Sequence, residues 1–142
     1  MYRDILLATD GTEGAKQATD HALELAEQLG ATVHIVSVSE EGPHSSEKRD
    51  EMRSDLEEEA AQALEEAERT AADRGVETTT TIRQGVPQEE IVDAAETNAM
   101  DLIVMGTHGR SGLDHLVVGS VAEEVVRNAP VPVVTVRERD QS

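Results

Sequence analysis

The sequence has no cysteine, no phenylalanine and no tryptophan, and Tyr2 is its one aromatic residue. Without cysteine, the chain has no disulfide framework, no thiol nucleophile and no thiolate ligand for a metal ion. No apolar run approaches the roughly 20 residues that span a bilayer. The N-terminal segment MYRDILLATDG has one basic residue and a short apolar run that ends at Asp10, unlike a secretory signal peptide. We therefore expect a soluble, cytoplasmic protein.

Basic residues are also scarce. The chain has 12 lysines and arginines against 30 acidic residues, a formal net charge of −18, and only Lys16 and Lys48 are lysines. A domain this acidic lacks a broad electrostatic surface for nucleic acid or an anionic membrane, so we expect neither partner. Concentrated salt screens the repulsion between such charges, and carboxylates keep a surface hydrated. We interpret the composition as that of a halophilic protein, with an ordinary acidic protein as the alternative.

Apolar patterning predicts a single domain over residues 1–142 in which strands alternate with helices. Short apolar or β-branched segments predict five strands, over residues 2–9, 32–38, 76–83, 101–105 and 130–137. Apolar residues at spacings of three and four predict four helices, over about 12–29 and 47–74, from 87 onward, and over about 119–128. This alternation predicts an α/β, Rossmann-like fold: one open parallel sheet with helices on both faces. The segment 101–105 is the most apolar and is expected to be central, whereas 76–83 is expected near an edge.

The same patterning predicts which side chains are buried. The first helix is expected to bury a stripe made of Ala15, Ala18, His21, Ala22, Leu25, Ala26 and Leu29. The helix that Pro87 begins is expected to bury Ile91, Val92, Ala94, Ala95 and Met100. Met105 and Met100 are interpreted as core residues, and His21 and His34 as structural ones.

Glycines at the end of the fourth predicted strand point to a ligand site, since ligands of open parallel sheets bind beyond the carboxyl ends of the strands. Gly106, Gly109 and Gly112 recur every three residues, and Gly119-Ser120 precedes the last helix. Glycine lets backbone N–H groups approach a ligand, and successive N–H groups form a concavity that binds anions. A helix N-terminus adds donors and a partial positive charge. These parts suit a polyphosphate; alternatively, the glycines only make a tight connection and Ser120 only caps the helix.

The standard phosphate-binding motifs are absent. The chain has no GxxxxGK[ST], and the turn after the first strand, TDGTEG, is not GxGxxG. A nucleotide site here would therefore be of a different kind.

The spacing Gly106-x2-Gly109-x9-Gly119-Ser120 resembles the G-2x-G-9x-G-[ST] signature of the ATP-binding branch of the universal stress proteins. The resemblance covers the whole chain and includes the segments ILLATDGTEGA, GVPQEEIV, DLIVMGTHGRSGL and LVVGSVAEEVVRNAPVPVVTVR. It implies the strand order 3-2-1-4-5, a homodimer formed along the last strand (residues 130–137), and an adenine nucleotide, ATP, accompanied by Mg²⁺ on its phosphates.

The resemblance also implies roles for individual residues. Ala8, Thr9 and Asp10 are expected to border the ribose and phosphates, with the Val38 backbone at the adenine edge. The phosphate cradle is expected to comprise Gly106, Gly109, Gly119, Ser120 and the N–H of Val121. Met105 belongs to the same stretch of candidate site residues.

The roles of two loop residues remain open, and the sequence departs from the family pattern at one place. His108 either donates a hydrogen bond to a phosphate or orders the loop, and Arg110 either neutralises phosphate or is simply exposed. Asp114 and His115 stand where the family often has basic residues, which removes a charge clamp on the γ-phosphate unless Mg²⁺ compensates.

The composition of the predicted pocket favours binding over turnover. An ATPase must position water and neutralise charge on the γ-phosphate. Asp10 is the one acid of the predicted pocket, and no loop lysine accompanies it. We therefore expect a nucleotide-binding stress or regulatory module with no catalytic residues; a slow ATPase and a structural dimer without a nucleotide are the alternatives.

Overall fold

The computed structural model describes residues 2–9, 13–39, 61–106 and 120–137. Its strands are β1 (Asp4–Ala8), β2 (Thr32–Ser39), β3 (Thr78–Gln84), β4 (Leu102–Gly106) and β5 (Val133–Val136). Its helices are α1 (Glu13–Leu29), α2 (described over residues 61–73), α3 (Pro87–Thr97) and α4 (Ser120–Asn128). The first part of the predicted second helix, residues 47–60, lies outside the described residues.

The five strands form one parallel sheet in the order β3-β2-β1-β4-β5. The predicted fold class and strand order are therefore confirmed. β3 lies at an edge, as its low apolar content predicted, and β4 lies between β1 and β5. The chain runs outward from β1 to β3 and then returns to β4, so the strand order reverses between β1 and β4.

Two aliphatic clusters lie on opposite faces of the sheet. On one face, Ile5 and Leu7 pack with side chains of α1 and α2. On the other face, Leu6 and Ala8 pack with side chains of α3 and α4. Because helices cover both faces, successive residues of β1 are buried rather than alternating between core and solvent. Each fully buried leucine or isoleucine contributes roughly 1.5–3 kcal/mol relative to an exposed one.

The buried stripe of α1 differs from the predicted one. Ala18, Ala22 and Ala26 are buried as expected, and Leu23, which the pattern missed, is completely buried. His21 is exposed, and Leu29 is 48% exposed. The stripe follows the i, i+4 row and is flanked by residue 23, so residue 21 turns away from the sheet. Leu29 is in line with the stripe but is the last residue of α1, and it is exposed at the end of the helix.

The buried face and the start of α3 agree with the sequence. Ile91, Ala94 and Ala95 are buried, as is Met100 beyond the helix, while Val92 is half-buried. Pro87 occupies the first turn, and Val86 before it is extended (φ −82°, ψ 119°), as the residue preceding a proline prefers.

Polar side chains tie the strands together at the end of the sheet where the strands begin. Asp101 Oδ2 accepts hydrogen bonds from the backbone N–H groups of Arg3 (2.9 Å) and Asp4 (3.0 Å). These backbone hydrogen bonds, first that from Asp4, lower the pKa of the Asp101 carboxyl. His34 Nε2 lies 2.9 Å from Asp4 Oδ1, and its Nδ1 lies 2.7 Å from Thr79 Oγ1. His34 thus bridges β1, β2 and β3, which confirms that it is structural.

Within the described ranges, no helix is long and apolar enough to cross a membrane.

Candidate functional site

The candidate site is the crevice at the carboxyl ends of β1 and β4, where the strand order reverses. The connections that leave these two strands lead to α1 and α4, which pack on opposite faces of the sheet. The crevice therefore opens between the two helices.

Val38 turns its backbone toward this crevice. Thr32 N–H donates to the Arg3 carbonyl (2.9 Å), and the Val36 carbonyl accepts from Thr9 N–H (3.0 Å), so even-numbered residues of β2 face β1. The paired register of β1 with β2 ends at Ala8 and Val36. The N–H and C=O of Val38, two residues further, are therefore directed into the space beyond the last paired residue of β1.

Gly106 faces the same space from the other side. Ile103 N–H donates to the Pro132 carbonyl (3.0 Å), so odd-numbered residues of β4 face β5 and even-numbered ones face β1. The register of β1 with β4 ends at Leu7 and Val104. The backbone of Gly106, at the end of β4, thus also points beyond β1. Val38 and Gly106 flank the end of β1 from opposite sides.

The floor of the crevice is buried and mostly apolar, with one polar residue, Thr9. Ala8 is 9% exposed, Thr9 8% and Met105 5%. Met105 packs in the same cluster as Ala122, and half-buried Val38 and Val121 pack against that cluster. Met105 is therefore a core residue, as predicted from the sequence. Its side chain also forms part of the apolar surface beneath the crevice.

The N-terminus of α4 lies at this end of the sheet because α4 returns the chain from the end of β4 to the start of β5. The helix begins at Ser120, and its first-turn N–H groups have no carbonyl partner within the helix. Ala122 and Val125 bury the inner face of α4, with exposed fractions of 2% and 0%. This packing holds the helix N-terminus in place beside the end of β4.

The structure brings together the described members of the predicted site: Ala8, Thr9, Val38, Met105, Gly106, Ser120 and Val121. The remaining predicted residues, Asp10, His108, Gly109, Arg110 and Gly119, lie outside the described residues. Asp114 and His115 lie outside them too. Over the described part of the chain, no group of three His, Cys, Asp or Glu side chains can hold a metal ion.

An ion-pair cluster beside Val38 was missed by the sequence analysis. Arg83 of β3 is the register partner of Val38. Its Nε donates to Glu90 Oε1 (2.9 Å), and its Nη2 donates to Asp93 Oδ2 (2.7 Å). Gly85 has φ +145°, and a Cβ there would lie 2.7 Å from Glu90 Oε2. The cluster fastens α3 to the end of β3. The sequence pattern that could have predicted this cluster is an arginine at the end of a strand, followed by acidic residues spaced i, i+3 on the next helix.

Comparisons with known proteins agree with this geometry. The model of the universal stress protein family matches residues 1–137. Universal stress protein MJ0531 of Methanocaldococcus jannaschii is 38% identical over 142 residues, which cover 97% of this chain and 84% of that protein.

Solved structures share the fold. The universal stress protein UspA from Lactobacillus plantarum superposes with a TM-score of 0.84 at 28% identity, covering 96% of this chain and 98% of that one. A universal stress protein from Archaeoglobus fulgidus, solved in complex with dAMP, superposes with a TM-score of 0.72 at 25% identity, covering 95% of this chain and 98% of that one.

Proposed function

Because the chain belongs to the universal stress protein family, we propose that it is a stress-response module that binds an adenine nucleotide, ATP, in the crevice between β1 and β4. The observation that carries the proposal is the convergence of the Val38 and Gly106 backbones on the space beyond the end of β1. The dAMP complex of the related Archaeoglobus fulgidus protein supports the adenine nucleotide as ligand class.

Val38 recognises the base in this proposal. The N–H donor and the C=O acceptor of a strand residue point side by side in the same direction. Adenine presents an amino donor beside a ring-nitrogen acceptor, so the two edges are complementary. The apolar floor of Ala8 and Met105 supports the ring, because burying apolar surface is favourable. Thr9 and Asp10, which follow β1, border the ribose.

The phosphates lie toward α4. Gly106 is the last residue of β4, beside the crevice. Ser120 and Val121 are the first two residues of α4, which begins beside the crevice as well. Backbone N–H groups and the positive end of the helix dipole favour an anion there. Gly109 and Gly119 complete the cradle, and His108 and Arg110 border it. Mg²⁺ enters with the phosphates and neutralises part of their charge.

We further propose a homodimer through β5. β5 is the second edge of the sheet, and Val133, Val134 and Val136 on it are half-buried. Odd-numbered residues of β5 turn their backbone groups away from β4, since Ile103 N–H donates to the Pro132 carbonyl and Ile103 pairs with Val133. An apolar edge with outward backbone groups is stabilised by pairing with a second copy across a two-fold axis.

The setting of this module is also a proposal. We propose that residues 1–142 form one domain, which the family match over residues 1–137 supports. We propose that it works in a salt-rich cytoplasm, which the net charge of −18 supports.

Titration calorimetry with ATP–Mg²⁺ on two variants of one residue tests the nucleotide proposal. Val38→Pro removes the N–H that faces the crevice, whereas Val38→Ala keeps the backbone and trims a half-buried side chain. Loss of one hydrogen bond corresponds to about tenfold weaker binding. We expect that loss for Val38→Pro and near-wild-type affinity for Val38→Ala. A wild-type protein that binds neither ATP nor dAMP refutes the proposed function; equal binding by both variants refutes the role of Val38.

A further inference from the structure

Among the described residues, no strand pairs with the outer edge of β3. β3 ends the sheet, and all seven of its residues are in register with β2, from Val33 with Thr78 to Ser39 with Gln84. Val33 N–H donates to the Glu77 carbonyl (2.9 Å), so odd-numbered residues of this segment face β2. The backbone groups that face outward are those of Thr78, Thr80, Ile82 and Gln84.

In the part of the chain that the structure describes, this edge is exposed and has little protection against pairing. Residues 79–82 are exposed, and Ile82 is one of few large apolar side chains in the described chain with substantial exposure, 43%. Natural edge strands are usually blunted by proline, lysine or a bulge. Segment 78–84 contains no proline and no lysine, and its uninterrupted register with β2 shows that it has no bulge. It is rich in β-branched residues, which favour strands.

The charges around β3 select the partner. Arg83, the one basic residue of the strand, has its guanidinium held by Glu90 and Asp93 of α3. Glu89 and Glu96 on the same helix are exposed, as is Glu77 just before β3. A strand laid along this edge therefore meets negative charge. A second copy of the chain would place its own Glu77, Glu89 and Glu96 against these acids, and this local contact of like charges opposes self-pairing at β3.

We propose that the outer edge of β3 docks an extended, lysine- or arginine-rich peptide segment by adding it to the sheet as a sixth strand. The backbone groups of Thr80 and Ile82 supply the central hydrogen bonds, and the acidic groups of α3 attract the basic side chains. This surface is separate from the crevice between β1 and β4, and the proposal does not depend on nucleotide binding.

The test uses three synthetic nine-residue peptides with capped ends. The first alternates valine and lysine, the second alternates valine and glutamate, and the third repeats the first with alternate amides N-methylated. Binding to the full chain is followed by backbone amide NMR in KCl at which circular dichroism shows folded protein. We expect the first peptide to shift the amides of residues 78–84 and to bind more weakly as KCl rises. We expect the other two to bind at least about tenfold more weakly.

Two variants of one residue supply the matched control on the protein. Thr80→Pro removes an outward N–H that takes no part in the ladder with β2, a site where an edge strand tolerates proline. Thr80→Ala keeps that N–H. We expect Thr80→Pro to bind the lysine peptide about tenfold more weakly than Thr80→Ala. Equal binding of the N-methylated peptide, equal binding of the glutamate peptide, or dimerisation of the chain through β3 overturns the proposal.

Discussion

Two leucines of α1 provide a test of how the helix packs on the sheet. Leu23 is completely buried against the cluster that contains Ile5 and Leu7, whereas Leu29, the last residue of the same helix, is 48% exposed. Truncating a buried leucine to alanine costs about 2–5 kcal/mol, because the transfer free energy is lost and a cavity remains. A leucine that is half exposed is expected to cost within about 0.5 kcal/mol when truncated, as surface substitutions usually do.

The free energy of unfolding is measured by urea denaturation at one fixed KCl concentration, with Leu23→Ala, Leu29→Ala and wild type compared. Leucine and alanine differ little in helix propensity, so a difference of several kcal/mol between the variants reports burial. We expect Leu23→Ala to lower the free energy of unfolding by about 2–5 kcal/mol with an unchanged urea slope. If Leu29→Ala costs as much as Leu23→Ala, the C-terminal end of α1 is packed, and the described exposure of Leu29 is wrong.

Three further predictions concern acid stability, the β5 edge and salt. Ionised Asp101 stabilises the fold because its pKa is lowered, so its contribution is complete above its ordinary pKa of 3.8 and is lost as the pH falls through the lower folded-state pKa. Asp101→Asn should therefore have a lower urea midpoint than wild type at pH 7, and the gap should narrow as the pH falls below 3.8; a gap that stays constant as the pH is lowered contradicts this reasoning. Thr135→Pro removes an outward N–H of β5 and should yield monomers by light scattering, whereas Thr135→Ala should stay dimeric; a monomeric wild type at micromolar concentration excludes the dimer. The melting temperature should rise from millimolar to molar KCl, because salt screens a net charge of −18, and a flat profile would contradict the halophilic interpretation.

Local sequence signals determined the elements and their places in the sheet to a large extent. The low apolar content of residues 76–83 indicated a strand near an edge, and the apolar run of residues 101–105 indicated a central strand, which the structure places between β1 and β5. Pro87 marked the start of α3. These signals are local because each of them depends on a few neighbouring residues. They are the period of the apolar residues, the fixed backbone angle of proline, and the continuous apolar run of a strand that is buried on both faces. The glycine spacing from Gly106 to Ser120 indicated the candidate site in the same way.

The tertiary structure alone decided which distant groups meet. Periodicity placed His21 and Leu29 on the buried face of α1, yet His21 faces solvent, Leu29 lies at the exposed end of the helix, and Leu23 is buried. Arg83 meets Glu90 and Asp93 only because α3 returns across the face next to β3. Val38 and Gly106 are far apart in the chain, and they face one crevice because β1 lies between their strands and ends before them. Strand order and helix orientation arise from long-range packing and crossover handedness, which no short segment encodes.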